Sequence, residues 1–311
     1  MIRNGILALV GLMFMAATCE KPVDINIAEP NPKLVLICNF TDDDLFKVAV
    51  SKSQGALSSN IVTEYIGDAN VEVWEGEQLL TTLFLVEGPN GDPPYFTNDK
   101  VKPKVGVEYT IKARAEGFIS IQAKNKIPQS IALEEVSIKD LQVFSTTKPG
   151  EKQYNYNISL RFIDPIDTDN YYHVNLYQKT NLYRVSLGDT IITSTQSTTT
   201  DIIPVSNSYF EVSSPTGGLL LDDSPFNGQE KSLVFPMSVI IDTKQAILGN
   251  IDVELRSVSK EYYLYLSSIK RQKTNPSVPY AEPVILFNNI INGQGIFAGY
   301  SKSRSSRFIG R

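Results

Sequence analysis

Val107-Glu108-Tyr109-Thr110-Ile111-Lys112-Ala113-Arg114 puts Val, Tyr, Ile and Ala on one side of an extended chain and Glu, Thr, Lys and Arg on the other. Successive side chains of a strand point to opposite faces, so this stretch predicts a half-buried β-strand. The same period of two recurs at Phe46 to Lys52, at Asn70 to Trp74, and at Leu79 to Val86 after a turn at Gly76-Glu77. Short strands punctuated by Gly, Pro and Asn imply an antiparallel sandwich.

Near Pro128 the pattern pauses, and a second β-rich region opens at about Glu135 with strands expected at Val136 to Phe144, Tyr154 to Phe162, Tyr171 to Tyr177, Ser232 to Ile241 and Ile251 to Val258. Between Thr190 and Asp201, Ser and Thr dominate, which reads as either a loop or an exposed edge strand. One helix is expected at Ser259 to Lys273. Ser259 is its N-cap, Glu261 lies in the first turn, and Tyr262, Leu266 and Ile269 form a buried stripe. Lys270, Arg271 and Lys273 complement its negative end, and Asn275-Pro276 stop it. The expectation is therefore a mainly β protein. An N-terminal immunoglobulin-like β-sandwich over 34–134 precedes a larger antiparallel β domain over 135–311, which carries one α-helix near 259–273 and a basic tail.

The N-terminus reads as an address. Arg3 supplies a basic start, Ile6 to Ala17 is almost wholly apolar, and the run is shorter than the ~20 residues a helix needs to cross a bilayer. It resembles a bacterial lipoprotein signal over 1–18, with Cys19 as the lipidated residue and 19–33 as an extended, proline-containing tether. Of the two cysteines in the chain, Cys38 then has no disulfide partner and reads as a small buried thiol in a strand.

The formal charge of −5 argues against nucleic-acid binding, yet it is unevenly spread. Lys260 to Arg311 contains eight basic and two acidic residues, a basic end on an acidic body. That end reads as a solvated tail or as a surface for anionic headgroups. Phe297, Tyr300, Lys302, Arg304, Arg307 and Phe308 are the candidate contacts with a partner or membrane.

No catalytic residues, cofactor or metal site are expected. The single histidine, His173, shares a face with Tyr171, Asn175 and Tyr177 and reads as an ordinary surface residue. One histidine cannot build a two-histidine metal site, and no Gly-x-Ser-x-Gly elbow accompanies it. The carboxylates of Asp42-Asp43-Asp44, of Asp164, Asp167 and Asp169, and of Asp222-Asp223 lack EF-hand spacing and read as turns with solvated or self-capping side chains. Gly293-Gln294-Gly295-Ile296-Phe297-Ala298-Gly299 has the wrong spacing for a dinucleotide loop, so its glycines are expected to permit turns or close packing.

Several segments together resemble one family. They include Gly106-x-x-Tyr109, Asp169-Asn170-Tyr171-Tyr172 and Asp223-x-x-Phe226-x-Gly228. The most specific are Val258-Ser259-x-Glu261-Tyr262-Tyr263-x-Tyr265-Leu266 and the ending Asn292-Gly293-x-Gly295-Ile296-Phe297-x-Gly299-Tyr300-Ser301. The chain resembles the Bacteroidetes outer-membrane lipoproteins grouped as domain of unknown function 4249. The resemblance implies a non-enzymatic lipoprotein at the outer membrane's extracellular face, with an outer-membrane β-barrel (TonB-dependent receptor-like, or a barrel/protein-export assembly) as partner. The alternative is a free-standing module that binds a glycan or peptide through Tyr-rich faces or the Ser/Thr-rich segment.

Overall fold

The computed structural model describes residues 31–55, 62–166, 168–202, 211–274 and 285–309. Pro32–Gln54 together with Ser58–Arg311 form one compact unit, and the other unit, Met1–Asn31 with Gly55–Leu57, lies almost wholly outside the described residues. The leader, Cys19, most of the tether, Asp167 and Asn275-Pro276 lie outside them as well.

Among the described residues the fold is mainly β with one α-helix, in three sheets. The first is five-stranded, ordered β5 (Tyr95–Thr97), β4 (Gln78–Val86), β3 (Asn70–Glu75), β6 (Glu108–Arg114) and β7 (Ile121–Lys126). In β6 the alternation read from the sequence is realised: Tyr109, Ile111 and Ala113 are buried with Val71 and Val73 of β3. The second sheet is eight-stranded. Its order is β12 (Glu211–Ser213), β13 (Leu219–Asp222), β10 (Tyr171–Ser186), β15 (Ala246–Val258), β16 (Gln294–Arg307), β1 (Leu34–Phe40) and β2 (Ala49–Lys52), with β11 (Asp189–Thr199) paired to β10. The third is three-stranded, ordered β14 (Glu230–Asp242), β9 (Glu151–Ile163) and β8 (Glu135–Ser145).

Two sandwiches result. The five-stranded sheet packs on Leu34, Leu36, Cys38 and Phe40 of β1 and Phe297 of β16, where the Phe40 and Phe297 rings stack at 4.5 Å. The three-stranded sheet packs Tyr156, Ile158 and Leu160 against Tyr172, Val174 and Leu176 of β10 and Ile251, Val253 and Leu255 of β15. The opposite face of the eight-stranded sheet is covered by α1 (Lys260–Thr274), whose Tyr262, Tyr263 and Leu266 lie on Leu220, Val258, Ile296 and Ala298. Ser259 caps this helix, its Oγ accepting from the Tyr262 N–H at 3.3 Å. The Tyr doublets meet here, with the Tyr171 and Tyr263 rings 5.1 Å apart.

The basic end is not a tail. Residues 294–307 form a strand between β15 and β1, antiparallel to the former and parallel to the latter. Two glycines make this possible by close approach. A Cβ on Gly295, whose φ is +115°, would lie 2.0 Å from the Leu36 carbonyl oxygen, and one on Gly299 would lie 2.5 Å from that of Lys126. The Ser/Thr-rich segment is the exposed strand β11, paired along its length to β10. Cys38 is a free, buried thiol, and burial pushes its pKa up to about 12.

Candidate functional site

The residues expected to meet a partner divide sharply. Phe297 is fully buried, because strand alternation turns it into the N-terminal sandwich, so its reading as a contact residue is corrected. Tyr300 and Lys302 are partly covered, whereas Arg304, Arg307 and Phe308 are exposed. Arg307 Nε donates to the Val136 carbonyl at 2.7 Å, which ties the end of β16 to β8.

Lys302 and Arg304 of β16 instead complete ion pairs beneath α1. Lys302 Nζ lies 2.7 Å from an Asp43 carboxylate oxygen. Glu254 on β15 has its side chain 1% exposed and accepts from Arg256 Nε at 2.5 Å and from Arg304 Nε. Arg256 also donates to the Tyr262 hydroxyl at 3.1 Å and the Tyr177 hydroxyl at 3.2 Å, with its guanidinium 4.8 Å from the Tyr300 ring centre. Register explains the convergence: His173 pairs with Arg256, Asn175 with Glu254, and Glu254 with Arg304, which puts these side chains on one face of neighbouring strands.

His173 belongs to this network, which corrects its reading as a surface residue; it is 1% exposed because α1 covers the face that alternation left open. Its Nε2–H donates to the Gly217 carbonyl at 2.8 Å, so Nδ1, 3.0 Å from the Tyr262 hydroxyl, accepts from it. Burial, reinforced by the Arg256 charge, lowers the His173 pKa from 6.5 to about 4. Burial opposes the charge on Glu254, but the two guanidiniums outweigh it and hold its carboxyl below the usual range. For Asp43 the contest is the same, and Lys302 wins it. This arrangement rivets α1 to the sheet: each charge is answered by another within the protein.

The acidic turns are likewise fastened. Asp222 Oδ1 accepts from the Ser224 N–H at 2.9 Å, the expected self-capping turn. Asp164 and Asp223 differ from the solvated reading, since both are buried. Asp164 accepts from the Tyr172 hydroxyl and the Gly228 N–H, and Asp223 accepts from the Asn170 N–H at 2.7 Å. Burial raises the Asp223 pKa, with Asp164 and Asp222 adding to the rise.

What remains open is a cleft of about 590 Å³ where the two sheets of the second sandwich diverge. Hydroxyl and amide groups of β10 and β11 (Gln178, Thr180, Gln196, Thr198) form one wall, and Met237, Val239 and Ile241 of β14 form the other. Beyond the cleft β10 and β11 run on as a hairpin. Its two-residue turn, Leu187-Gly188, has φ of +53° and +90°. Leu187 is 103% exposed, and Val185, Ile191 and Ile192 beside it are also exposed.

The fold and these surfaces define a mainly β protein that presents clefts and a projecting apolar hairpin, with its buried charges committed to packing. The chain belongs to the family described as Domain of unknown function (DUF4249), whose model matches residues 20–306. No curated protein matches the chain.

Proposed function

We propose that this protein is a non-enzymatic lipoprotein, anchored in the outer membrane through Cys19 with its body on the extracellular face, that docks on an outer-membrane β-barrel. The barrel is TonB-dependent receptor-like or part of a barrel or protein-export assembly. The observation that carries the docking reading is the β10–β11 hairpin. The first position of such a turn suits Asn, Asp or Gly, and a left-handed Leu costs about 1–2 kcal/mol. Leu187 occupies it fully exposed, with the exposed aliphatic side chains of Val185, Ile191 and Ile192 beside it, an apolar tip of the kind a partner would cover. Acyl chains, at ~0.8 kcal/mol per buried methylene, would hold the protein beside its barrel, so a small contact suffices.

The hairpin replaces the basic strand as the contact to test. Reversing the charges of Lys302 and Arg304 would break internal ion pairs before it reached any partner. Leu187→Asp leaves these untouched. Isolated from gently solubilised outer membrane, the parent protein should bring down a stoichiometric barrel, and Leu187→Asp should retain about a tenth of it, the loss of one buried Leu contact. Equal recovery by both proteins would overturn the docking role of the hairpin. The second reading, a free-standing glycan- or peptide-binding module, draws support from the Thr- and Gln-walled cleft.

A further inference from the structure

We infer that the outer face of the three-stranded sheet is a binding site for a neutral oligosaccharide. This goes beyond the docking reading and holds with or without a barrel. Central strand β9 places Gln153, Asn155 and Asn157 on this face at every second residue. In register beside Asn155 stand Gln142 of β8 and Ser238 of β14.

The amides are oriented by one another. Gln153 Nε2 donates to Asn155 Oδ1 at 3.1 Å and to Ser238 Oγ at 3.0 Å, and the Ser238 hydroxyl donates to Asn155 Oδ1 at 2.8 Å. Asn157 Nδ2 donates to Asp140 Oδ2 at 3.0 Å. One end of each amide is thereby engaged. Gln153 Oε1, Asn155 Nδ2 and Asn157 Oδ1 have no protein partner among the described residues. Acceptor, donor and acceptor thus follow one another along β9 at about 6.7 Å intervals, two residues of strand. Sugar hydroxyls both donate and accept, so a fixed array of amide ends is what they can bridge.

The backbone shapes the same place. The β8–β9 register shifts between Lys139 and Gln142, and Asp140 in the bulge has φ +57°. A non-glycine residue in that region costs of order 1–3 kcal/mol, and bulges of this kind re-aim side chains beside sites. Here the bulge brings Asp140 to Asn157 and borders a hollow of about 420 Å³ lined by these side chains and Pro236. Phe144, exposed and paired with Gln153, supplies an apolar ring at the end of the row. Lys139 and Asp140 carry opposite charges, so the face favours a neutral ligand over an anionic one.

The test is calorimetric titration of the full-length protein, held in a detergent without a sugar headgroup, with neutral gluco-, manno- and galacto-oligosaccharides, a sulfated glycan and an extended Ser/Thr-rich peptide. At least one neutral series should bind saturably. Asn155→Leu and Phe144→Ala should each weaken it about tenfold while the protein keeps a single cooperative thermal melt, the loss of a hydrogen bond or an apolar contact. Ile119→Ser, at the exposed turn between β6 and β7 of the other sandwich, should bind as the parent does. The inference is overturned if the folded protein binds no neutral series, if both face variants bind as the parent does, or if the sulfated glycan or the peptide binds instead. Barrel recovery, measured on the same variants, reports separately on the docking reading.

Discussion

Between pH 7 and pH 5 the stability of this protein should fall with a slope that belongs to one side chain. His173 is the single histidine of the chain. Its folded pKa lies near 4 against an ordinary 6.5, a difference equivalent to about 3 kcal/mol at the acid limit. The direction follows from proton uptake. Below pH 6.5 the unfolded chain binds a proton that the folded protein refuses until about pH 4, so stability is lost as pH falls through that window. Integrated from pH 7 to pH 5, the loss is about 2 kcal/mol. With a urea slope near 3 kcal/mol/M, the unfolding midpoint should drop by about 0.7 M. Glu254, with its carboxyl held below the usual range, adds its own loss only at more acid pH, and Asp223, raised by burial, acts with the opposite sign. The assay is urea unfolding followed by tyrosine fluorescence at half-unit pH steps, on the parent and on His173→Gln. The variant should be less stable at pH 7 and lose the slope between pH 6.5 and pH 5. A flat parent profile, or an equal slope in the variant, would refute the placement of a neutral histidine under α1.

Glu254→Gln leaves Arg256 and Arg304 without their shared carboxylate and should destabilise by about 3–5 kcal/mol, read as a lowered melting temperature. Gly295→Ala forces a Cβ onto the Leu36 carbonyl oxygen and strains a φ of +115°; a loss above about 2 kcal/mol is expected, with amide exchange rising first in β1 and β16. Cys38, with its pKa near 12, should resist thiol reagents at pH 8 until the protein unfolds, and rapid labelling of the native state would contradict its place in the core.

Alternation was enough to read β6, β9 and β15, because each buries one face and exposes or polarises the other. Ser259 likewise announced the start of α1, since its side chain bonds within the same turn. β16 escaped because its partners are remote: β1 lies at the other end of the chain, and Gly295, Gly299 and Ser301 make the strand look like a turn-rich tail. His173 was sorted correctly to the face away from Val174, but alternation cannot say what covers a face, and the cover is a helix almost ninety residues on. The glycines of the ending were read as permitting turns or close packing, without showing which carbonyl Gly295 or Gly299 would meet. The strand expected at Tyr154 to Phe162 was read without its row of amides, and it begins three residues earlier, at Glu151. The bulge at Asp140 and the register of Asn155 with Ser238, on which the inferred site rests, come only from pairing between strands.

Whether the protein is lipid-held and works on a barrel can be read by mass spectrometry of the native protein drawn from gently solubilised outer membrane. Both its N-terminal peptide and its stoichiometric companions would be identified. An acylated Cys19 together with one outer-membrane β-barrel is the expected result. An unmodified N-terminus near Thr18, or an acylated protein with no barrel, would contradict it.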